Sequence, residues 1–115
     1  MPITNPRPLR DDEPREPPAD PVRVLQQRAR ILARLTDGRG RIERWPKRRV
    51  ERLLVLEHLA AHFEPGEVLT ERQVNDRLDA LHAFHDPVFL RRYLIDEGFL
   101  ARRRDGSAYW RTAEA

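Results

Sequence analysis

The sequence predicts a mostly helical α+β fold: three core helices with a C-terminal β-hairpin against them, preceded by one extra helix. Three signals carry this expectation. Thr70, with Gln73 three residues on, is a capping box that opens an apolar stripe at Val74, Leu78 and Leu81. Asp86-Pro87 supplies an N-cap and first helical residue, and Gly98 stands where a left-handed C-cap belongs. Asp105-Gly106, between Phe99-Leu100-Ala101 and Ala108-Tyr109-Trp110, is a hairpin turn signal.

Residues 1–20 read as a disordered tail. Seven of the ten prolines lie in residues 1–21, beside Asp11, Asp12, Glu13 and Glu16, and the large apolar residues there are Met1, Ile3 and Leu9. Such a stretch buries too little surface to offset its ordering entropy. Pro14 and Pro17 form one PxxP, the sharper alternative being a docking peptide. Residues 21–37 then read as a helix and its stop. Asp20-Pro21 caps it, and Val22, Leu25, Ala29 and Leu32 recur at seam spacing. Arg23, Arg28, Arg30 and Arg34 lie mostly on the remaining surface, and Gly38 and Gly40 break the helix. Two heptads are too short for an isolated coiled coil. Docking on the body is the plain reading, and a homodimer through residues 22–35 is its rival.

The body is expected over 38–115. Residues 41–45 form an extended entry, and Trp45, preceding Pro46, is biased away from helical backbone. Pro46 suits the first turn of a central helix over 46–63, with Val50, Leu53, Leu54, Val55, Leu56, Leu59, Ala60 and Phe63 as a wide apolar stripe. Pro65-Gly66 ends it and Glu67-Val68-Leu69 is a brief strand. Helices over 71–81 and 87–97 follow, Leu90 and Leu94 being the surest core positions of the second. Tyr109 and Trp110 are adjacent on the returning strand, so one faces the core and the other faces out. Helix, short strand, two helices and a hairpin are the winged helix-turn-helix order, with 70–97 as the helix-turn-helix and 99–111 as the wing.

Residues 40–111 resemble the domain of unknown function 2087 family. The resemblance lies in the order of elements and in four segments: Gly40-Arg41-Ile42 with Pro46-Lys47-Arg48; Phe63-Glu64-Pro65-Gly66; Phe84-His85-Asp86 with Leu90-Arg91-Arg92; and Gly98-Phe99-Leu100 with Asp105 to Arg111. It implies a winged-helix-like domain with a regulatory association, because some members carry it beside an arsenical-repressor-type DNA-binding domain. With one predicted helix before the body, the sequence given is expected not to include such a neighbour.

Composition narrows the function. The chain has 115 residues, one domain's length, and a formal net charge of +3. The absence of cysteine excludes a disulfide scaffold, a thiolate zinc site and a thiol nucleophile. No apolar run approaches the ~18 residues of a membrane span, and no signal-like segment opens the chain, so a cytoplasmic protein without membrane attachment is expected. The charge is concentrated. Residues 39–52 hold seven basic residues against two acidic ones, net +5, among them Arg44, Lys47, Arg48, Arg49 and Arg52. The hairpin turn adds Arg102, Arg103 and Arg104, and the last helix Arg91 and Arg92. Such clusters neutralise phosphate, and guanidinium groups match phosphate and guanine edges. These ten residues are the candidate nucleic-acid contacts. The competing reading is a solvated or ion-paired surface, or contact with an acidic protein. Arg accounts for 21 of the 22 basic residues, as codon bias would also give, and Asp96 and Glu97 offset Arg91 and Arg92.

No metal site is expected. His58 and His62 stand at i, i+4, but His58-Leu59-Ala60-Ala61-His62 lacks the glutamate of H-E-x-x-H. His82 and His85 would join them only if their loop folded back, and the plain reading has His85 hydrogen-bonding locally before Asp86. There is no nucleophile elbow, no phosphate-cradling glycine loop and no cofactor motif. The expectation is a non-catalytic regulatory module that binds nucleic acid. The alternative is a protein–protein interaction domain on the same scaffold.

Overall fold

A computed structural model describes residues 20–112. The tail expectation for 1–20, with its PxxP, falls outside the described residues except for Asp20. Helices α1 (Pro21–Leu35), α2 (Arg49–Ala60), α3 (Glu71–Asp79) and α4 (Pro87–Asp96) join three short strands, β1 (Val68–Leu69), β2 (Leu100–Arg102) and β3 (Tyr109–Arg111). The strands form one antiparallel sheet in the order β1-β3-β2, with Leu69 opposite Tyr109 and Ala101 opposite Trp110. The fold is thus α+β and mostly helical. No helix among the described residues is long and apolar enough to cross a membrane.

The helix boundaries follow their caps. The Asp20 carboxylate accepts the Val22 N–H at 2.9 Å. Thr70 Oγ1 accepts the Gln73 N–H at 3.1 Å while Gln73 Oε1 accepts the Thr70 N–H at 2.8 Å, completing the capping box. Asp86 Oδ1 accepts the Phe89 N–H at 3.1 Å. Gly98 closes α4 with φ +83°, and Gly106 turns the hairpin with φ +78°, conformations in which a Cβ is strained.

The core is one cluster. Val55, Leu56 and Leu59 of α2, Val74 and Leu78 of α3, and Leu90 and Leu94 of α4 are fully buried, with Phe63 and Tyr109 against them. Ile42 is also fully buried, its strand-like segment bridging Thr36 on one side and His82 on the other. Tyr109 points inward and Trp110 is half-buried, as the alternation of a strand requires.

Three expectations need correction. The central helix begins at Arg49, not Pro46: Pro46 is buried in an extended segment, and Arg48, with ψ 135°, is the N-cap. Val50 is not a core residue. It lies in the first turn of α2, 75% exposed, while Leu53 and Leu54 take up the packing one turn on. The seam of α1 is rotated. Val22 and Leu25 are 60% and 64% exposed and Ala29 is exposed, whereas Leu32, the last residue of the expected seam, packs on the core together with Ile31 and Leu35. α1 bears two interleaved apolar stripes, and the docked one includes Arg28, whose guanidinium pairs with Glu57 of α2.

Candidate nucleic-acid interface

Six of the ten predicted basic residues line two clefts, one on each side of α4, while Arg49, Arg52, Arg103 and Arg104 line neither. On one flank, Arg91 and Arg92 of α4 and Arg102 of β2 line a cleft of about 440 Å³, facing Glu71 and Asp96 with Tyr109 at its base. On the other, Arg44, Lys47 and Arg48 line a second cleft with Arg34, Trp45 and Glu51. Two aromatic contacts tie that second cleft to α4. The Trp45 ring meets Phe89 at 5.1 Å, edge on, and Tyr93 at 4.8 Å. Phe89 and Tyr93 in turn share a shallow depression with Arg92, Asp86 and Asp96, and Arg92 also lines the first cleft. The two basic clefts are therefore joined across α4 by an aromatic patch that also carries two aspartates.

The basic residues differ in how free they are to bind. Arg91 is largely buried: Nη1 donates to Asn75 Oδ1 at 2.6 Å, Nη2 stands 3.8 Å from Glu71 Oε2, and the guanidinium lies 5.9 Å from the centre of the Tyr109 ring. The same Glu71 oxygen accepts the Tyr109 hydroxyl at 3.0 Å. Arg91 thus braces α3, α4 and β3, and Arg92 is the exposed arginine of α4. Arg49 makes a two-pronged pair with Glu97, at 2.9 and 3.0 Å. Hydrogen bonding to that carboxylate raises the Arg49 pKa above its ordinary value. Arg44 donates to the Arg34 carbonyl at 2.8 Å and remains exposed, and Lys47 and Arg48 are exposed ahead of α2. Arg52 is half-buried on α2, and Arg102, Arg103 and Arg104 are exposed at the hairpin.

Sequence reasoning missed three parts of this site. Arg34 joins the second cleft although it lies on α1. The Trp45–Phe89–Tyr93 patch joins the two flanks, and its only sequence signal is an aromatic pair at i, i+4 on α4. Asn75 and Glu71 hold Arg91 from a different helix, which nothing local announces.

The histidines do other work. His82, not His85, makes the local bonds before Asp86: Nδ1 lies 2.6 Å from the Leu78 carbonyl, and Nε2 accepts the Asp86 N–H at 2.8 Å. With both nitrogens engaged by backbone, His82 has no lone pair to offer a metal. Burial and the neighbouring His62 lower the pKa of His58. Among the described residues, no group of three or more His, Asp or Glu side chains is placed to hold a metal ion.

A mostly helical α+β domain with a basic surface spread over both flanks of its last helix is the class of protein these observations define. The family described as "Uncharacterized protein conserved in bacteria (DUF2087)" matches residues 41–111, and the chain belongs to it. The match begins after α1, so that helix lies outside the family's span. No curated protein and no solved structure matches the chain.

Proposed function

We propose that this protein is a non-catalytic, cytoplasmic regulatory module that binds duplex DNA with a winged-helix-like arrangement. In this reading α3 and α4 are the helix-turn-helix and β2–β3 the wing. The observation that carries it is the contiguity of the two clefts: Arg92 and the Trp45 patch connect Arg102 on one flank of α4 with Arg44, Lys47 and Arg48 on the other. Phosphate contact supplies the affinity and base readout adds little, because Arg91 is spent on Asn75 and Arg92 is accompanied by Asp96. Binding is therefore weak, with Kd about 10⁻⁴–10⁻⁶ M at physiological salt, and nearly indifferent to sequence.

Fluorescence anisotropy with a labelled random duplex over four salt concentrations tests this. The expected result is a linear fall of log K with log salt. No binding at the lowest salt sinks it.

A second reading has its own support. Val22, Leu25 and Val50 are large apolar side chains left exposed on α1 and α2, where an apolar groove runs past Leu53, Leu54 and Phe99. These suit a protein partner, including a homodimer through the 22–35 helix. Sedimentation velocity over a hundredfold concentration range separates monomer from dimer.

A further inference from the structure

Helix α1 leaves two surfaces uncovered, and they differ in chemistry. At about 100° of rotation per residue, Val24, Arg28, Ile31 and Leu35 share the face turned to the body. Leu35 is buried there, Ile31 packs on the core, and Arg28 reaches Glu57. One flank beyond that face holds Val22, Leu25 and Ala29. The opposite flank holds Arg23, Gln26, Gln27, Arg30 and Arg34, all exposed.

The polar flank differs from an ordinary solvated helix surface. Such surfaces usually carry both signs of charge, placed so that neighbours a turn apart attract. From Pro21 to Leu35 there are four arginines and no acidic residue; Arg28 pairs with Glu57 and Arg34 with Glu51 (2.8 Å), both on α2, which leaves Arg23 and Arg30 without an acidic partner among the described residues. The stripe also leads somewhere. Its last member, Arg34, lines the cleft that holds Arg44, Lys47 and Arg48, and the Arg34 carbonyl receives the Arg44 guanidinium at 2.8 Å. The flank is thus an extension of the basic surface beside α4. From Arg23 to Arg34 it runs ~16 Å along the helix axis, at ~1.5 Å per residue. That length covers about five base pairs of rise measured along the duplex axis, at ~3.4 Å each.

We propose that the Arg23–Gln27–Arg30–Arg34 flank of α1 is a second DNA contact, laid along the phosphate backbone next to the α4 site. The inference rests on the DNA-binding reading above. Arg23 and Arg30 neutralise phosphates, Gln26 and Gln27 donate uncharged hydrogen bonds to the same strand, and Arg34, held by Glu51 at 2.8 Å, marks where the flank meets the second cleft. α1 precedes the matched residues 41–111, so this contact lies outside the part of the chain that the family match covers.

The test is the same anisotropy titration with the full chain, comparing wild type with R23A/R30A, R23K/R30K, Q26A/Q27A and R92A. Both arginines are exposed, so circular dichroism and the melting temperature should be unchanged in the arginine variants, which keeps lost binding distinct from lost fold. R23A/R30A is expected to flatten the slope of log K against log salt by up to about two units, at about 0.9 per phosphate. R23K/R30K should restore most of the slope, since the charge is restored. Q26A/Q27A should weaken binding at every salt concentration without changing the slope. Wild-type binding that R92A weakens while R23A/R30A leaves the slope intact overturns the α1 contact and spares the α4 site. That pattern would assign the stripe to an acidic protein surface or to solvent. A wild type that binds no DNA overturns both.

Discussion

His82 accepts the backbone N–H of Asp86 through Nε2 at 2.8 Å, so its proton sits on Nδ1, which donates to the Leu78 carbonyl at 2.6 Å. One buried ring therefore joins the C-terminal turn of α3 to the residue that caps α4. Ile42 holds the same turn from the other side, its N–H donating to the Leu81 carbonyl and its carbonyl accepting the Ala83 N–H. The angle between the two helices that frame the candidate site is set here.

His82→Leu keeps the volume and removes both bonds, leaving the Asp86 N–H without a partner and the Leu78 carbonyl with the Leu81 N–H alone. The cost should be about 1–3 kcal/mol, that of one desolvated polar group. A urea midpoint equal to that of wild type would show that water replaces the ring.

Leu94 and Val50 form a matched pair of core tests. Leu94 is fully buried one turn after Leu90, and Val50 is 75% exposed. Leu94→Ala should destabilise by about 2–5 kcal/mol. Val50→Ala should stay within about 0.5 kcal/mol, as surface changes do. Equal midpoints for the two variants would refute the register of α2 and α4 together.

How much of this was legible in the sequence depended on how local each signal is. The capping box at Thr70, the Asp86 cap, Gly98 and the Asp105-Gly106 turn each involve residues within a few positions of one another, and each stands where the sequence put it. The docked face of α1 was hidden because two apolar stripes interleave. A seam frame selects the stripe without charge, Val22–Leu25–Ala29–Leu32, of which Leu32 does pack on the core, whereas the body takes the stripe containing Arg28 and supplies Glu57 for it. The start of α2 was hidden because Pro46 is equally at home in the extended segment it occupies. Arg91 is a DNA-facing residue by sequence and a brace in the structure, because its partner Asn75 lies on another helix, 16 residues away. His82 was masked by its loop-like neighbours, and only the return of Ile42 beside it makes it a core residue.

The Glu67–Arg77 pair gives the fold an acid-sensitive contact. Arg77 donates to both Glu67 oxygens, at 2.6 and 2.8 Å, and these bonds pull the Glu67 pKa from 4.5 down to about 2. Between those two values the unfolded chain binds a proton that the folded chain does not. Stability from this pair is therefore complete above about pH 4.5 and is lost as the pH falls through about 2. Both side chains are about a third exposed, so salt weakens the effect. Glu67→Gln should lose less stability than wild type between pH 5 and pH 2, in thermal melts at low ionic strength. Parallel pH profiles would show that the pair contributes nothing.

The last prediction separates free from committed basic residues in the proposed DNA site. Lys47 and Arg48 are exposed beside Trp45, whereas Arg49, one residue on, is clamped to Glu97 by two hydrogen bonds. Breaking that clamp to reach a phosphate would leave Glu97 facing the DNA without a counter-charge, so Arg49 gains little by moving. Lys47→Ala/Arg48→Ala should flatten the salt slope by up to about two units if both touch phosphate, and Arg49→Ala should change it by much less than one. The hairpin arginines Arg102, Arg103 and Arg104 should behave as Lys47 and Arg48 do where the wing lies along the backbone. Arg92→Ala should act differently. It removes the exposed basic side chain of α4, so it should weaken binding and also abolish the slight preference of the wild type for GC-rich over AT-rich duplexes at fixed salt, because guanine is the base edge a guanidinium reads. Anisotropy on two duplexes of equal length and opposite composition measures this. If Arg49→Ala flattens the slope as much as Lys47→Ala/Arg48→Ala, the Glu97 clamp opens on DNA and α4 lies closer to the backbone than its resting surface indicates.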